Sequence, residues 1–371
     1  MSQSAPPGQP FVVEAANLSV SLGGKRVLEI PALHVSRSEV LVVMGPNGSG
    51  KTTLLLSLAS LLKPDKGSSI LYGGKPAGDG LNALGARRRF AVVFQESLLL
   101  NGTVWDNVTL GARLRGINRA EAGARARKWL KRFGVTHLAK RQARMLSGGE
   151  AKRVSLARAF VLEPEVLFLD EPFAALDSPT RQGLIDDFER VLRETKVTTL
   201  MATHERNEAL ALADRVAVLI GGAIRQVGTP AEVFSYPVDE EVAEFVEAGN
   251  ILPGEVAAQD GGLAVVACCG KEIEAVSSLP PGTRVTVCLR HEDVTLSLPS
   301  ADMPSTSARN RFSGKVTRIY PVGFQVRVTL DCGFPLTAMI TGRSREGLAL
   351  AEGSQVVATF KASSIHLIAH G

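Results

Sequence analysis

Residues 45–52 read Gly-Pro-Asn-Gly-Ser-Gly-Lys-Thr, after the apolar run Val40–Val43 and before a stretch of helical character, Thr53 to Leu62. A strand, a glycine-rich turn and a helix start in that order form a cradle for phosphate. Gly45, Gly48 and Gly50, interleaved with Pro46, Asn47 and Ser49, let backbone N–H groups curl around phosphate oxygens, and the helix N-terminus adds positive potential. Lys51 supplies a point charge for the terminal phosphates of a nucleotide, and Thr52, followed by Thr53, offers a hydroxyl to Mg²⁺. The plain alternative is a glycine-rich turn ahead of a core helix.

Two further segments bear on that cradle. Val166-Leu167-Phe168-Leu169-Asp170-Glu171 is an apolar strand ending in two carboxylates. Asp170 at the strand tip would face the metal, and Glu171 would polarise an attacking water. Alone, such a pair is explained by a solvated strand end; beside the phosphate cradle it reads as chemistry. Leu146-Ser147-Gly148-Gly149-Glu150 precedes a helical run, Ala151–Leu162. Ser147-x-x-Glu150 is a capping box. The two glycines also bare the backbone of a helix start, which makes an anion site, and both readings hold together.

From Val12 to about Tyr236, short apolar runs (Val40–Val43, Ala91–Phe94, Val166–Leu169, Thr198–Met201) alternate with helical patterns. Such runs suit a parallel sheet covered on both faces. A mostly helical insertion is expected over about 97–145. Residues 1–11 read as a flexible tail, and 237–249 as a linker with a short acidic helix. Beyond Asn250 the strands shorten and Gly and Pro punctuate them, so a β-rich second domain is expected over 250–371. It contains a repeat. Gly282, Val285, Val287, Leu289 and Leu296 recur 71 residues later as Gly353, Val356, Ala358, Phe360 and Leu367. Gly254-x-Val256 likewise matches Gly314-x-Val316. Two related β units packed together are expected, as in small Greek-key barrels.

Composition narrows the partners. Aromatics are 5%, too few for a stacking platform on single-stranded nucleic acid, and no nucleic-acid partner is expected. The net charge of +5 fits phosphates or an anionic surface without choosing between them. Arg125, Arg127, Lys128, Lys131 and Arg132 crowd together; a solvated helix face explains them first, a phospholipid or nucleotide contact second. Cys268, Cys269, Cys288 and Cys332 form no C-x-x-C pair and read as small apolar residues, with adjacent Cys268 and Cys269 on opposite faces of a strand. The first ten residues lack the pattern of a signal peptide, and no uncharged apolar run reaches the roughly 18–20 residues of a membrane span. A channel, if this chain serves one, is expected in another chain.

Taken in order, the cradle around Lys51, the Leu146–Glu150 run and the strand ending in Asp170-Glu171 resemble the ABC-transporter nucleotide-binding domain over about residues 12–236. Gln95, Ala175-Leu176-Asp177 and Thr203-His204-Glu205 extend the likeness. The resemblance implies an α/β P-loop NTPase of ABC type with an inserted helical subdomain, followed by an OB-like or TOBE regulatory domain. It implies an ATP-dependent head-to-tail pair, in which Ser147, Gly148, Gly149, Glu150 and Asp177 of one copy face the nucleotide held at Lys51 of the other. It also implies Mg²⁺ held by Thr52, Asp170 and Gln95, catalysis by Glu171 with His204 and Gln95, and integral membrane permease subunits as partners. An extracytoplasmic binding protein would act indirectly, and the chain would sit peripherally at the cytoplasmic face of the membrane. The family places an aromatic ring on the adenine at a position occupied here by Leu22, which implies weaker discrimination of ATP from GTP.

Residues 307–368 resemble the oxyanion-binding Mop or TOBE module of molybdate importer ATPases, on Ser307-Ala308-Arg309-Asn310 and Lys361-Ala362-Ser363-Ser364. Ser307, Arg309, Lys361, Ser363 and Ser364 supply hydroxyls and positive charge for a tetrahedral dianion. Ordinary barrel edges are the alternative. The first half carries Arg290-His291-Glu292-Asp293 instead, whose carboxylates would repel an anion. The leading expectation is an importer ATPase for molybdate or tungstate, with internal oxyanion as a possible regulator. Behind it stand importers of sulfate, sugar or polyamine, then a soluble ABC protein acting on ribosomes or DNA. An oxyanion-binding regulator without nucleotide chemistry comes last.

Overall fold

The computed structural model describes residues 11–76, 85, 87–300 and 306–370. The chain divides after Pro230 into two compact units, ahead of the 237–249 linker expected from composition.

In the first unit, strands β1 (Phe11–Leu22), β2 (Lys25–Ser36), β4 (Ser69–Tyr72) and β5 (Lys75–Pro76) form an antiparallel sheet in the order β2-β1-β4-β5. A second sheet holds β3 (Val40–Met44), β6 (Phe90–Val93), β7 (Val166–Asp170), β8 (Thr198–Thr203), β9 (Arg215–Ile220) and β10 (Ala223–Gly228). Its order is β10-β9-β3-β8-β7-β6, parallel except for β10. Every residue of β3, β7 and β8 is buried, as expected of strands covered on both faces. Leu41, Val43, Phe168 and Leu200 share one core with Leu54, Leu55 and Leu58 of helix α1 (Lys51–Leu58) and with Leu18, Leu28 and Ile30 of the antiparallel sheet. That core fixes the start of α1 against the tips of β3, β7 and β8. α1 is shorter than its apolar run: Ser60 turns left-handed at φ 55°, so the helix does not reach Leu62.

Helices α2 (Val104–Leu114) and α3 (Arg119–Arg132), with short turns at 136–138 and 143–145, fill the insertion. Its first residues, 97–103, are not helical. α4 (Gly148–Phe160) packs on both helices, and α5 (Ser178–Thr195) and α6 (Arg206–Leu212) follow β7 and β8. The basic cluster on α3 is largely engaged at home. Arg125 pairs with Glu121 and Glu163, Arg132 with Glu194, and Arg127 lies over the Trp105 ring. Of the expected flexible tail, residues 1–10 lie outside the described residues, whereas Phe11 opens β1 with its ring 4.3 Å from that of His34.

The second unit begins with two short helices, α7 (Pro230–Ser235, whose Pro230 closes the first unit) and α8 (Glu240–Phe245). Then come β11 (Asn250–Asp260), β12 (Leu263–Cys268), β13 (Lys271–Val276), β14 (Arg284–Leu289) and β15 (Thr295–Ser297). After these follow β16 (Asn310–Val322), β17 (Gln325–Asp331), β18 (Pro335–Thr341), helix α9 (Gly342–Gly347), β19 (Gln355–Phe360) and β20 (Ile365–Ala369). Two five-stranded antiparallel sheets result, β13-β12-β11-β14-β20 and β15-β19-β16-β17-β18. The offset of 71 residues carries β14 onto β19 and β15 onto β20. The closing strands are exchanged: β20 pairs with β14, and β15 with β19.

Two asparagines stitch the sheets together at equivalent places. Asn250 donates to Leu289 O and Thr337 O and accepts from Thr337 N; Asn310 donates to Glu274 O and accepts from Glu274 N. Gly254 and Gly314 admit close neighbours, since a Cβ would stand 2.6 Å from the Val266 side chain and 2.5 Å from Cys332 Sγ respectively. The expectation for the adjacent cysteines is corrected. Cys269 lies in a turn at φ 52°, not in the strand, so its Sγ comes within 3.8 Å of Cys268 Sγ, and Cys269 alone of the four is exposed.

Candidate nucleotide site

The turn between β3 and α1 is built so that only glycine fits where it bends. A Cβ on Gly45 would sit 2.1 Å from the Leu219 carbonyl oxygen. Gly50 stands at φ 104° with Leu28 against it, and Gly48 is at φ 79°. Pro46 and Asn47 are exposed. Gly222 stitches the turn to β2. Its N–H donates to Ser49 O at 3.1 Å, and its carbonyl accepts from Glu29 N at 2.9 Å. Any side chain on Gly222 would strike Val27 O, at 2.2 Å from the Cβ. Sequence reasoning missed this residue; the Gly221-Gly222 pair after an apolar strand was its only trace.

Lys51 is buried at 6% exposure, and its Nζ donates to Gly45 O and Pro46 O at 2.8 and 3.1 Å. Burial lowers its pKa, while Glu171 and Asp170 act in the opposite sense. Ser49 Oγ is buried and has no hydrogen-bond partner. A buried hydroxyl without a partner is costly unless a ligand satisfies it. The orphaned hydroxyl, the lysine and the bare backbone all suit a polyphosphate.

At the neighbouring strand tips the acidic groups take different surroundings. Thr52 Oγ1 donates to Asp170 Oδ2 at 2.8 Å. Burial pushes the Asp170 carboxyl up; the Thr52 hydrogen bond and the Lys51 and Lys152 charges pull it down, and Glu171 adds to the rise. Glu171 turns left-handed at φ 43°, its N–H bound to Ala202 O, and its Oε1 lies 3.1 Å from His204 Nδ1. The backbone on either side of His204 is fixed: the Thr203 hydroxyl donates to the buried Glu208 carboxylate at 2.6 Å and accepts from Glu205 N at 3.0 Å. Lys51, Thr52, Asp170, Glu171 and His204 thus form one connected cluster. Thr52 with Asp170 offers the hard oxygen donors that Mg²⁺ prefers, so a magnesium nucleotide fits the residues present. Gln95 follows β6 and is exposed; its carbonyl oxygen accepts from Lys152 Nζ, a contact that sequence reasoning did not anticipate. Leu22, at the turn end of the β1–β2 hairpin, is 45% exposed.

The Ser147–Glu150 run is absent from that cluster. Ser147 Oγ accepts from Glu150 N at 3.3 Å, and Glu150 Oε2 accepts from Ser147 N at 2.8 Å, closing the capping box at the start of α4. Around Gly148 a Cβ would meet nothing within 4 Å. Asp177 caps α5 through Thr180 N at 3.2 Å. Among the described residues no hydrogen bond joins residues 147–150 to 45–52.

In the second unit, strand register pairs Asn310 with Phe360, which brings the Ser307–Arg309 run and the Lys361–Ser364 turn to the same end of β16 and β19. Ser307, Arg309, Lys361 and Ser363 are exposed and Ser364 is half-buried. Arg309 Nε faces Glu274 Oε2 at 3.4 Å, so part of its charge is already answered.

Comparison with known proteins agrees with this geometry. The ABC transporter family model matches residues 28–174, and the TOBE domain model matches 306–367. The chain is 38% identical to the molybdate/tungstate import ATP-binding protein WtpC of Pyrococcus horikoshii, over 91% of this chain and 94% of that protein. It is 33% identical to the sulfate/thiosulfate import ATP-binding protein CysA of Thermosynechococcus vestitus, over 92% and 94%. Among solved structures, cbiO1 of Clostridium perfringens, part of the ABC transporter complex cbiONQ, superposes with a TM-score of 0.57 at 30% identity, covering 64% of this chain and 95% of that one. The dimeric, ADP- and Pi-bound cassette MJ0796 superposes at 0.53 with 27% identity, covering 59% and 98%. A phosphate cradle, paired carboxylates at a neighbouring strand tip and a TOBE module in one chain, together with these relatives, place it in the ABC transporter family as an ATP-binding subunit of importer type.

Proposed function

We propose that this chain hydrolyses ATP to drive an importer of molybdate or tungstate. The observation that carries the ATPase reading is the connected cluster Lys51–Thr52–Asp170–Glu171–His204. Lys51 and the backbone of 45–50 hold the phosphates, and Thr53 closes the helix start behind Thr52. Thr52 and Asp170, with Gln95 approaching from β6, would hold Mg²⁺, which neutralises charge on the phosphate oxygens. Glu171 takes the hydrogen bond of the attacking water and polarises it, and His204, bonded to Glu171, orients both water and terminal phosphate.

Assembly follows from what the chain leaves apart. Ser147 and Glu150 are held by their own capping box and Asp177 by its cap on α5, and among the described residues no hydrogen bond joins these, Gly148 or Gly149 to residues 45–52 of their own chain. A second copy, paired head to tail, brings them to the phosphate held at Lys51. Among the described residues no helix is long and apolar enough to cross a membrane. Integral permease subunits would supply the path, and the exposed Leu98, Leu100 and Met145 offer apolar contact to them. The chain would then lie at the cytoplasmic face, with an extracytoplasmic binding protein delivering cargo from the other side.

For the cargo, the support is the likeness to molybdate/tungstate import proteins over most of both lengths. Ser307, Arg309, Lys361, Ser363 and Ser364 gather at one barrel end as a regulatory oxyanion site. Calorimetry of the full chain against molybdate, tungstate and sulfate tests that part. Heat with the first two, lost in Lys361→Ala, is expected. No heat with any of the three would remove the regulatory oxyanion and leave the ATPase reading standing.

A further inference from the structure

Helix α4 does more than present Ser147 at its N-terminus. Three side chains spaced three residues apart on it grip the backbone that follows β6. Lys152 Nζ donates to Gln95 O, and Ser155 Oγ donates to Ser97 O at 3.4 Å. Arg158 donates from Nη2 to Ser97 O at 3.0 Å and from Nη1 to Leu98 O at 2.9 Å. Residues at i, i+3 and i+6 are successive neighbours in one inclined ridge of a helix surface, so the three form a row that winds across it. The segment they hold is not regular structure, and Leu98 sits left-handed at φ 40°, a conformation that persists in a bulky residue only when its surroundings enforce it.

The row is built at a cost. Lys152 is 6% exposed and Ser155 1%. Burial lowers the pKa of both cations; Asp170, Glu171 and Glu208 offset part of that for Lys152, whereas among the described residues no carboxylate does so for Arg158. Burying the Arg158 cation against carbonyl oxygens is expensive, and an apolar side chain would pack there more cheaply. Further along the segment Asn107 of α2 completes the hold: its Oδ1 accepts from Leu100 N at 2.7 Å, and its Nδ2 donates to Leu100 O at 3.0 Å. The segment from Gln95 to Leu100 is therefore suspended from helices by side chains at both ends, with Leu98 and Leu100 each 53% exposed.

We propose that Lys152, Ser155 and Arg158 are positioning residues that lock the Gln95–Leu98 segment to α4, so that this segment and the Ser147 end of the same helix move as one body when nucleotide is bound. The proposal rests on the head-to-tail pairing around bound nucleotide proposed above. A displacement of Ser147 toward a partner's nucleotide then displaces Gln95 and the exposed leucines with it, because four hydrogen bonds along one rigid helix leave them no independent path.

Hydrogen exchange on the full chain carrying Glu171→Gln, with and without MgATP, tests this. In the parent, peptides covering 95–100 and 147–150 should gain protection together, at the same half-saturating nucleotide concentration. With Arg158→Leu added, and separately with Lys152→Met, exchange at 95–100 should rise at least tenfold. MgATP should still protect 45–52 and 147–150 but no longer 95–100, and Arg158→Lys should restore most of the joint response. Ser155→Ala serves as the milder variant should the larger changes impair folding; it should loosen 95–100 about threefold. Unchanged exchange and an unchanged joint response in all these variants would overturn the proposal, as would loosening spread evenly over 104–132. No protection of 45–52 by MgATP in the parent would instead count against the nucleotide reading itself.

Discussion

Two glycine-rich helix starts, one at Gly45–Lys51 and one at Ser147–Glu150, are alike in sequence and opposite in construction. The first is welded into the sheet. Gly45 touches β9, Gly50 touches β2, Gly222 ties the turn to β2 a second time, Lys51 is bonded back to the carbonyls of Gly45 and Pro46, and Thr52 reaches Asp170 at the tip of β7. The second is bonded chiefly to itself, through its capping box and an Arg141–Glu150 contact at 3.4 Å, and open space surrounds Gly148. A binding element completed inside one chain needs rigid packing behind every bend. One that is completed by another molecule needs only to hold its own shape until that molecule arrives.

The contrast can be broken most violently at the chemistry. Glu171→Gln should lower the ATPase rate by about 10²–10⁴-fold while leaving MgATP binding at the first helix start intact, because the amide cannot take a proton from water. Steady-state turnover beside equilibrium nucleotide binding reads both; equal rates in the two proteins would sink the assignment. Next comes a paired alanine test. Gly45→Ala forces a Cβ onto the Leu219 carbonyl and should cost about 3 kcal/mol of stability, with loss of nucleotide binding. Gly149→Ala puts its Cβ 2.8 Å from the Thr180 methyl, which must rotate away, and helix propensity offsets part of that cost, so the loss of stability should be about 1 kcal/mol, smaller than for Gly45→Ala, while turnover falls.

Ser147→Ala sharpens the same comparison. Loss of the N-cap should cost about 1 kcal/mol in urea unfolding. Turnover should fall further than that loss of stability explains, and binding of a single nucleotide per chain should survive. The smallest effect is one of pH. The Ser147 N–H holds the Glu150 carboxyl below its ordinary value of 4.5. That contribution is present above the unfolded value and is lost as pH falls through the lower folded one. Glu150 is well solvated, so Glu150→Gln should flatten the acid limb of the stability curve by only about 0.3 kcal/mol. A change of similar size at pH 7 and pH 3 would show the carboxylate to be irrelevant to the cap.

Legibility in the sequence followed the range of the interaction. β3 and β7 were readable because a parallel strand buried on both faces is a nearly unbroken apolar word, β8 because its threonines are β-branched, and the phosphate cradle because its residues are consecutive. The link of Glu171 to His204 was reachable only through family resemblance, since 33 residues separate them. Lys152 was not readable, and Gly222 only as one of a glycine pair after an apolar strand, for both act on backbone atoms of distant segments, and the carbonyl oxygen they meet leaves no trace in residue identity. The cysteines failed for a local reason: a strand was assumed to continue through Cys269, whereas the chain turns there. Asn310 was quoted within the oxyanion run, yet its side chain is occupied by the backbone of Glu274.

The exchanged strands of the second unit set a timetable for its synthesis. β14, complete at Leu289, finds its outer neighbour only when Ile365–Ala369 has been made, some 80 residues later. Pairing over such a distance is slow, and until it happens one edge of β14 stands open to any other strand nearby. The first sheet therefore waits on almost the whole of the second before it can close, and a ribosome stalled within β16–β19 would release a half-barrel with an unguarded edge rather than a smaller folded domain.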